Sequence, residues 1–276
     1  MSSKAMSLKA KLRNMAKEKN ITAQVLLQNY MFERFLERLS KSTYKDSFIL
    51  KGGMLIAAIV GVDMRSTMDL DTTLRNMSLD EASIRMALFD ICETVMDDDV
   101  HFIVGSISSI RPDDVYGGYR ASLVAVYDTI ETPLMIDITT GDAITPNAVR
   151  FSFCGMFDHT ACFDLWAYNI ETVIAEKVEA ALSKSVLNTR ARDYYDIYIL
   201  LKTQQINRAV LKDAIAATAA HRGSSDIVEN SERIIRQIAA SAIVRQMWDK
   251  YRKDFSYAKD IEYTEVIDAL TVLCTK

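Results

Sequence analysis

The chain has 276 residues, with 33 Lys and Arg against 37 Asp and Glu, a net charge of −4, and 49% hydrophobic residues. This composition excludes a disordered chain and one coated in positive charge, and the length allows one large domain or two modest ones. No apolar run reaches bilayer length and the N-terminus lacks an apolar signal region, so a cytoplasmic protein without a membrane segment is expected.

The charge is unevenly spread. Between Lys177 and Lys259 there are 15 Lys and Arg against 9 Asp and Glu, which leaves 18 basic against 28 acidic residues elsewhere. Such an asymmetry suits an enzyme that holds a cation in one part and a polyanion in another; a helical part collecting Lys and Arg for solubility would look the same. The four cysteines are scattered without a CxxC pair and read as reduced, mostly buried thiols.

In chain order, an amphipathic stretch from Ser7 to Lys19 precedes a strongly periodic helix that starts at Thr22 and carries Phe32, Phe35, Leu36 and Leu39. A short apolar strand, Phe48-Ile-Leu, runs into Lys51-Gly52-Gly53 and a compact helix closed by Gly61. Arg65 to Leu74 alternates like a strand, and Ser78-Leu79-Asp80-Glu81 opens another helix. Val100 to Ile110, Tyr119 to Tyr127 and Pro133 to Thr139 are β-branched or aromatic runs. From Asn169 onward the pattern is helical. The expectation is an α/β (α+β) fold, with a mixed sheet and flanking helices over residues 1–165 and a helical lobe over 166–276.

The chemistry concentrates in strand, Gly-Gly, short helix, and Asp-x-Asp on a second strand. Strand side chains alternate, so Asp69 and Asp71 project on one side, and two adjacent carboxylates are costly without a cation. Such an oxygen pair suits Mg2+, with Mn2+ as a substitute, which completes its shell with water and phosphate. Gly52 and Gly53 precede a helix start, where backbone N–H groups and the helix dipole attract a phosphate. Asp137 lies inside the apolar run Leu134-Met135-Ile136-Asp137-Ile138, where a charge needs a partner. It reads either as a third metal ligand, the preferred assignment, or as a strand-end residue facing solvent.

Gly52-Gly53 followed by Asp69-Leu70-Asp71 and an apolar-flanked Asp137 resembles the nucleotidyltransferase superfamily that includes DNA polymerase beta. The wider succession is Leu50-Lys51-Gly52-Gly53, Arg65 to Asp71, Ala175-Glu176-Lys177, and Arg190-Ala191-Arg192-Asp193-Tyr194-Tyr195-Asp196. It resembles the AbiEii family of bacterial toxins, associated with abortive phage infection and paired with an antitoxin. The resemblance implies metal binding and catalysis by Asp69 and Asp71, a phosphate end at Gly52, Gly53 and Thr67, and nucleotide binding by Lys177 and Asp196. Asp193 matches the family's last acidic motif and is assigned to catalysis. It also implies transfer of NMP from an NTP to RNA, foremost the 3′ end of tRNA, and a cognate AbiEi-like antitoxin. Taken on their residues alone, Lys177 reads as a snorkelling surface lysine and Asp193 as a helix-dipole partner; the resemblance is what gives them functional roles. The rival enzyme reading is an aminoglycoside-type nucleotidyltransferase; a silent nucleotide-binding regulator is the non-enzyme alternative.

Overall fold

The computed structural model describes residues 3–110 and 117–274. Contacts divide the chain into two units: one runs up to Gly141 and resumes over Val149–Ala167, and the other combines Asp142–Ala148 with the chain from Tyr168 onward.

The first unit is built on a seven-stranded mixed sheet in the order β3-β4-β5-β2-β1-β7-β6. Its strands are β1 (Phe48–Lys51), β2 (Leu70–Leu74), β3 (Val100–Ile110), β4 (Gly118–Tyr127), β5 (Ile130–Thr140), β6 (Val149–Cys154) and β7 (Cys162–Ala167). The central strands pair in both senses: β1 is antiparallel to β2 and parallel to β7, and β2 is parallel to β5. Along β5 burial alternates strictly from Ile130 to Ile138, so one face of the sheet carries the core and the other carries Met135 and Asp137.

Helix α1 (Ser3–Lys19) packs on α2 (Ala23–Lys41), which presents Leu26, Phe32, Phe35, Leu36 and Leu39 to the core. The Thr22 side chain caps α2 by accepting the Val25 N–H, as a polar oxygen at that position should. Helix α4 (Glu81–Cys92) contributes Ile84, Leu88 and Ile91, and Phe35 meets Phe102 edge-to-face at 5.8 Å.

Two local features are set by the fold. The acidic run at 97–99 is not wholly exposed to solvent, because Arg38 on α2 forks onto Asp98 at 2.7 and 2.8 Å and both side chains are buried. Burial pushes the Asp98 carboxyl up, but the Arg38 hydrogen bonds and the Val100 N–H outweigh it and hold the group below the usual range. The cysteines are not all free thiols either. Cys154 and Cys162 are register partners across β6 and β7 and form a disulfide, which their eight-residue separation alone does not show.

The second unit is helical: α5 (Ile170–Lys184), α6 (Ala191–Thr203), α7 (Arg208–His221), α8 (Ser225–Glu229), α9 (Ser231–Ala240), α10 (Ala242–Asp254) and α11 (Tyr263–Cys274). Segment 142–148 joins it because Asn169 and Thr172, at the start of α5, bond the backbone of Thr145 and Asn147. Its core is aromatic: Tyr194, Tyr195 and Trp248 are fully enclosed, and Tyr195 lies 4.9 Å from Tyr257. No helix among the described residues is long and apolar enough to cross a membrane.

Candidate active site

Strand β1 ends at Lys51, and helix α3 (Gly52–Val60) begins at once. The change of direction needs φ +65° at Gly52, a conformation that costs side-chain-bearing residues energy. Space demands glycine as well. A Cβ on Gly52 would sit 2.0 Å from Asp71 Oδ2, and one on Gly53 would sit 2.8 Å from Thr67 Oγ1 and 3.2 Å from Arg65 Nη2. The absent side chains are thus what lets the Asp-x-Asp segment close onto the turn. The Gly53 N–H donates to Asp71 Oδ2 across a long 3.4 Å.

The segment before β2 is held from two sides. Thr67 Oγ1 accepts the Asp69 N–H and donates to the Asp69 carbonyl, which fixes the turn leading into Leu70. From α2, Asn29 Nδ2 donates to the Thr67 carbonyl at 2.9 Å, and Gln28 Nε2 donates to the Met68 carbonyl at 3.0 Å. Asp69 is exposed just ahead of the strand, and Asp71 is half-buried within it. Gly52, Gly53, Thr67, Asp69 and Asp71 therefore share one locality.

Strand register adds a row of charge that crosses the sheet. Lys51 pairs with Asp71, Asp71 with Asp137, and Asp137 with Arg120. Register partners project on the same face, so the row reads plus, minus, minus, plus over β1, β2, β5 and β4. Asp137 has a cationic partner on β4: Arg120 Nε and Nη2 each bond one of its oxygens at 2.7 Å. Among the described residues no group of three or more His, Cys, Asp or Glu side chains converges as a metal site. Arg120 is made more basic first by its bonds to Asp137, and further by the charges of Asp69 and Asp71, against some burial.

Asp69 and Asp71, with Asp137 in register beside Asp71, are carboxylates of the kind that could hold a hard divalent ion. Mg2+ commonly takes one or two carboxylates and draws its other ligands from water and phosphate.

In the second unit, α5 packs on α6 and brings together the three residues expected there. Lys177 Nζ lies 2.8 Å from Asp193 Oδ1 and 3.0 Å from Asp196 Oδ2. Both aspartates are enclosed, and Lys177 keeps 19% of its side chain exposed. Lys177 is accordingly not a loosely held surface lysine; it is gripped at its head, with one edge outward. Residues that the sequence reading gave no role are Arg120, Arg65, Gln28 and Asn29. Arg65 stood within the quoted motif, and its 1% exposure distinguishes it from an ordinary arginine.

The family model described as "Nucleotidyl transferase AbiEii toxin, Type IV TA system" matches residues 34–269. The chain belongs to that family. It is therefore a nucleotidyltransferase of the type IV toxin–antitoxin class, with a nucleotide substrate and an antitoxin partner as the family's terms. A solved Helicobacter pylori protein is similar in fold, with a TM-score of 0.51 at 16% identity, over 92% of this chain and 96% of that one. The structure of JHP933 from Helicobacter pylori is similar to the same degree, with a TM-score of 0.50 at 16% identity, over 92% of this chain and 93% of that one. No curated protein matches the sequence.

Proposed function

We propose that this AbiEii nucleotidyltransferase transfers NMP from an NTP to a hydroxyl of RNA, foremost the 3′ end of tRNA, with pyrophosphate leaving, and so arrests growth during phage infection. The observation that carries the chemistry is the closure of Asp71 onto the Gly52-Gly53 turn, with Asp71 Oδ2 only 2.0 Å from where a Cβ of Gly52 would be. Phosphate-attracting N–H groups and metal-attracting carboxylates thereby meet in one place.

Asp69 and Asp71 would hold Mg2+ or Mn2+, and the bound ion supplies positive charge for the phosphoryl group in transfer. Gly52 and Gly53 leave room for a polyphosphate to approach the first turn of α3. Thr67 fixes the approach of Asp69 through its two backbone bonds. In the second unit Lys177 is assigned to nucleotide binding, with its ammonium aimed by Asp193 and Asp196. Asp193 is the carboxylate we assign to accepting a proton.

The test is incubation with each α-labelled NTP, total RNA and, separately, an aminoglycoside. Label on RNA, lost with EDTA and in Asp71→Asn, supports the proposal. Label on the aminoglycoside and never on RNA gives the acceptor to the rival class.

A further inference from the structure

The Cys154–Cys162 disulfide closes a hairpin that other contacts already close. Strands β6 and β7 pair in register from Val149–Ala167 to Cys154–Cys162. Beyond the cysteines, the Gly155 N–H donates to the Ala161 carbonyl at 2.9 Å. Asp158 Oδ1 accepts the Thr160 N–H at 2.9 Å and the Thr160 hydroxyl at 2.6 Å. The loop is also tied to α2: Glu33 Oε2 accepts the Met156 N–H at 2.7 Å, and the Tyr30 ring meets Phe157 at 5.3 Å. These contacts hold the two sulfurs opposite each other whether or not they are bonded.

Exposure separates this pair from the other two cysteines. Cys154 and Cys162 are both exposed, and β6 is an edge strand of the sheet. Cys92 is buried and Cys274 half-buried, and burial pushes their thiols up to about 12 and about 11, which leaves almost no thiolate at neutral pH. Thiol–disulfide exchange runs by attack of a thiolate on a disulfide sulfur, so an exposed bridge is the labile kind. The thiol released at Cys162 has an acceptor in place, since its Sγ lies 3.4 Å from the His159 carbonyl.

We propose that Cys154 and Cys162 form a reversible thiol–disulfide site, open to dithiol reductants and small disulfides, whose state sets how firmly the edge strand β6 is held. In the reducing direction a thiolate of the dithiol attacks one sulfur, the Cys154–Cys162 bond breaks, and a mixed disulfide forms. The dithiol's second thiol then displaces it. Two electrons pass from the dithiol, which leaves as a disulfide, and each cysteine sulfur ends with one proton. A small disulfide drives the same steps in reverse. The reduced thiols expected from the sequence and the bridge seen in the fold are two states of one site. Strand β6 pairs on one side only, so loss of the bridge frees its end while the central strands β2 and β5 stay paired.

The test uses the full-length chain, oxidised with a small disulfide and then treated with dithiothreitol without denaturant. Thiols are labelled with a maleimide and located by mass spectrometry. Label should appear on Cys154 and Cys162, leave Cys92 and Cys274 untouched, and disappear when the small disulfide is returned. A bridge that never forms, or that yields to dithiothreitol only in denaturant, overturns the inference.

Hydrogen exchange then reads the consequence. On reduction the amides of β6 should exchange about tenfold or more faster, a modest part of what a disulfide typically contributes, with β2 and β5 unchanged. The double variant Cys154→Ser/Cys162→Ser should match the reduced wild type in exchange and in circular dichroism, and should ignore dithiothreitol. Equal exchange in the two wild-type states, or a reduced chain that unfolds as a whole, overturns the inference.

Discussion

Asp71 occupies the space that a side chain on Gly52 would need: its Oδ2 is 2.0 Å from the ideal Cβ position. Gly52→Ala should therefore displace the carboxylate as well as strain the backbone. Gly223 provides the control, since it has the same φ of +65° with nothing within 4 Å of its Cβ position. Both alanine variants should lose about 1–3 kcal/mol of stability to the positive φ. Only Gly52→Ala should also lose about 100-fold in nucleotide transfer, the cost of an ångström-scale misplacement. Equal activity in the two variants would show that the contact with Asp71 has no catalytic weight.

Repulsion between Asp69 and Asp71 should make the protein responsive to divalent cations even without substrate. Saturating Mg2+ should raise the melting temperature of wild type by a few degrees, about 2.7 kcal/mol at one hundred times the dissociation constant. Asp71→Asn should melt at or above the wild-type temperature in EDTA and gain little from Mg2+. Thermal melts with both additives decide it, and a mutant as responsive as wild type removes the metal role from Asp71.

Lys177 is the shared cation of Asp193 and Asp196, so its loss should be felt twice. Lys177→Ala leaves two enclosed carboxylates without it and should cost about 3–5 kcal/mol in urea denaturation. Adding Asp193→Asn should recover part of that loss. Binding of a non-hydrolysable NTP should weaken by about 1.5–3 kcal/mol in the single variant. Unchanged NTP affinity, measured by titration calorimetry under conditions where the variant is folded, would leave Lys177 a purely structural role.

Acid should selectively weaken the Arg38–Asp98 fork. The folded carboxyl titrates below its unfolded value, so its contribution is complete above the unfolded pKa, near 3.9, and is lost as pH falls through the lowered folded value. Asp98→Asn should cost about 3 kcal/mol at neutral pH, as breaking a buried pair does, with the gap closing below about pH 4. Denaturation at pH 7 and pH 3 measures both gaps, and a gap that widens in acid contradicts the assignment.

We propose that the stretch from Lys177 to Lys259, with 15 Lys and Arg against 9 Asp and Glu, recruits RNA; Arg233 and Arg236 are exposed on it, three residues apart on α9. Their reversal to Glu should reduce RNA labelling and leave NTP affinity unchanged. Each lost single-strand phosphate contact should lower the log–log salt slope of RNA binding by about 0.7. A slope indifferent to the reversal would move the RNA site elsewhere.

The Gly-Gly step at a strand-to-helix junction was readable directly, and so was a strand through Asp71, although β2 begins only at Leu70 and leaves Asp69 ahead of it. So were the helix starts at Thr22 and Asn169, whose side chains satisfy orphan N–H groups a few residues on. The partner of Asp137 was not readable. Its need for one followed from the apolar run around it, but Arg120 lies 17 residues away and faces it only through the register of β4 on β5. The same holds for Cys154 opposite Cys162, for Asp98 beneath Arg38, and for Lys177 gripped by Asp193 and Asp196. Periodicity is a local property of the chain, whereas register and helix packing are set by contacts between residues far apart in sequence. The residue types of the site were therefore fixed along the chain, and the assignment of each charge to its partner was fixed only in the folded sheet and helices.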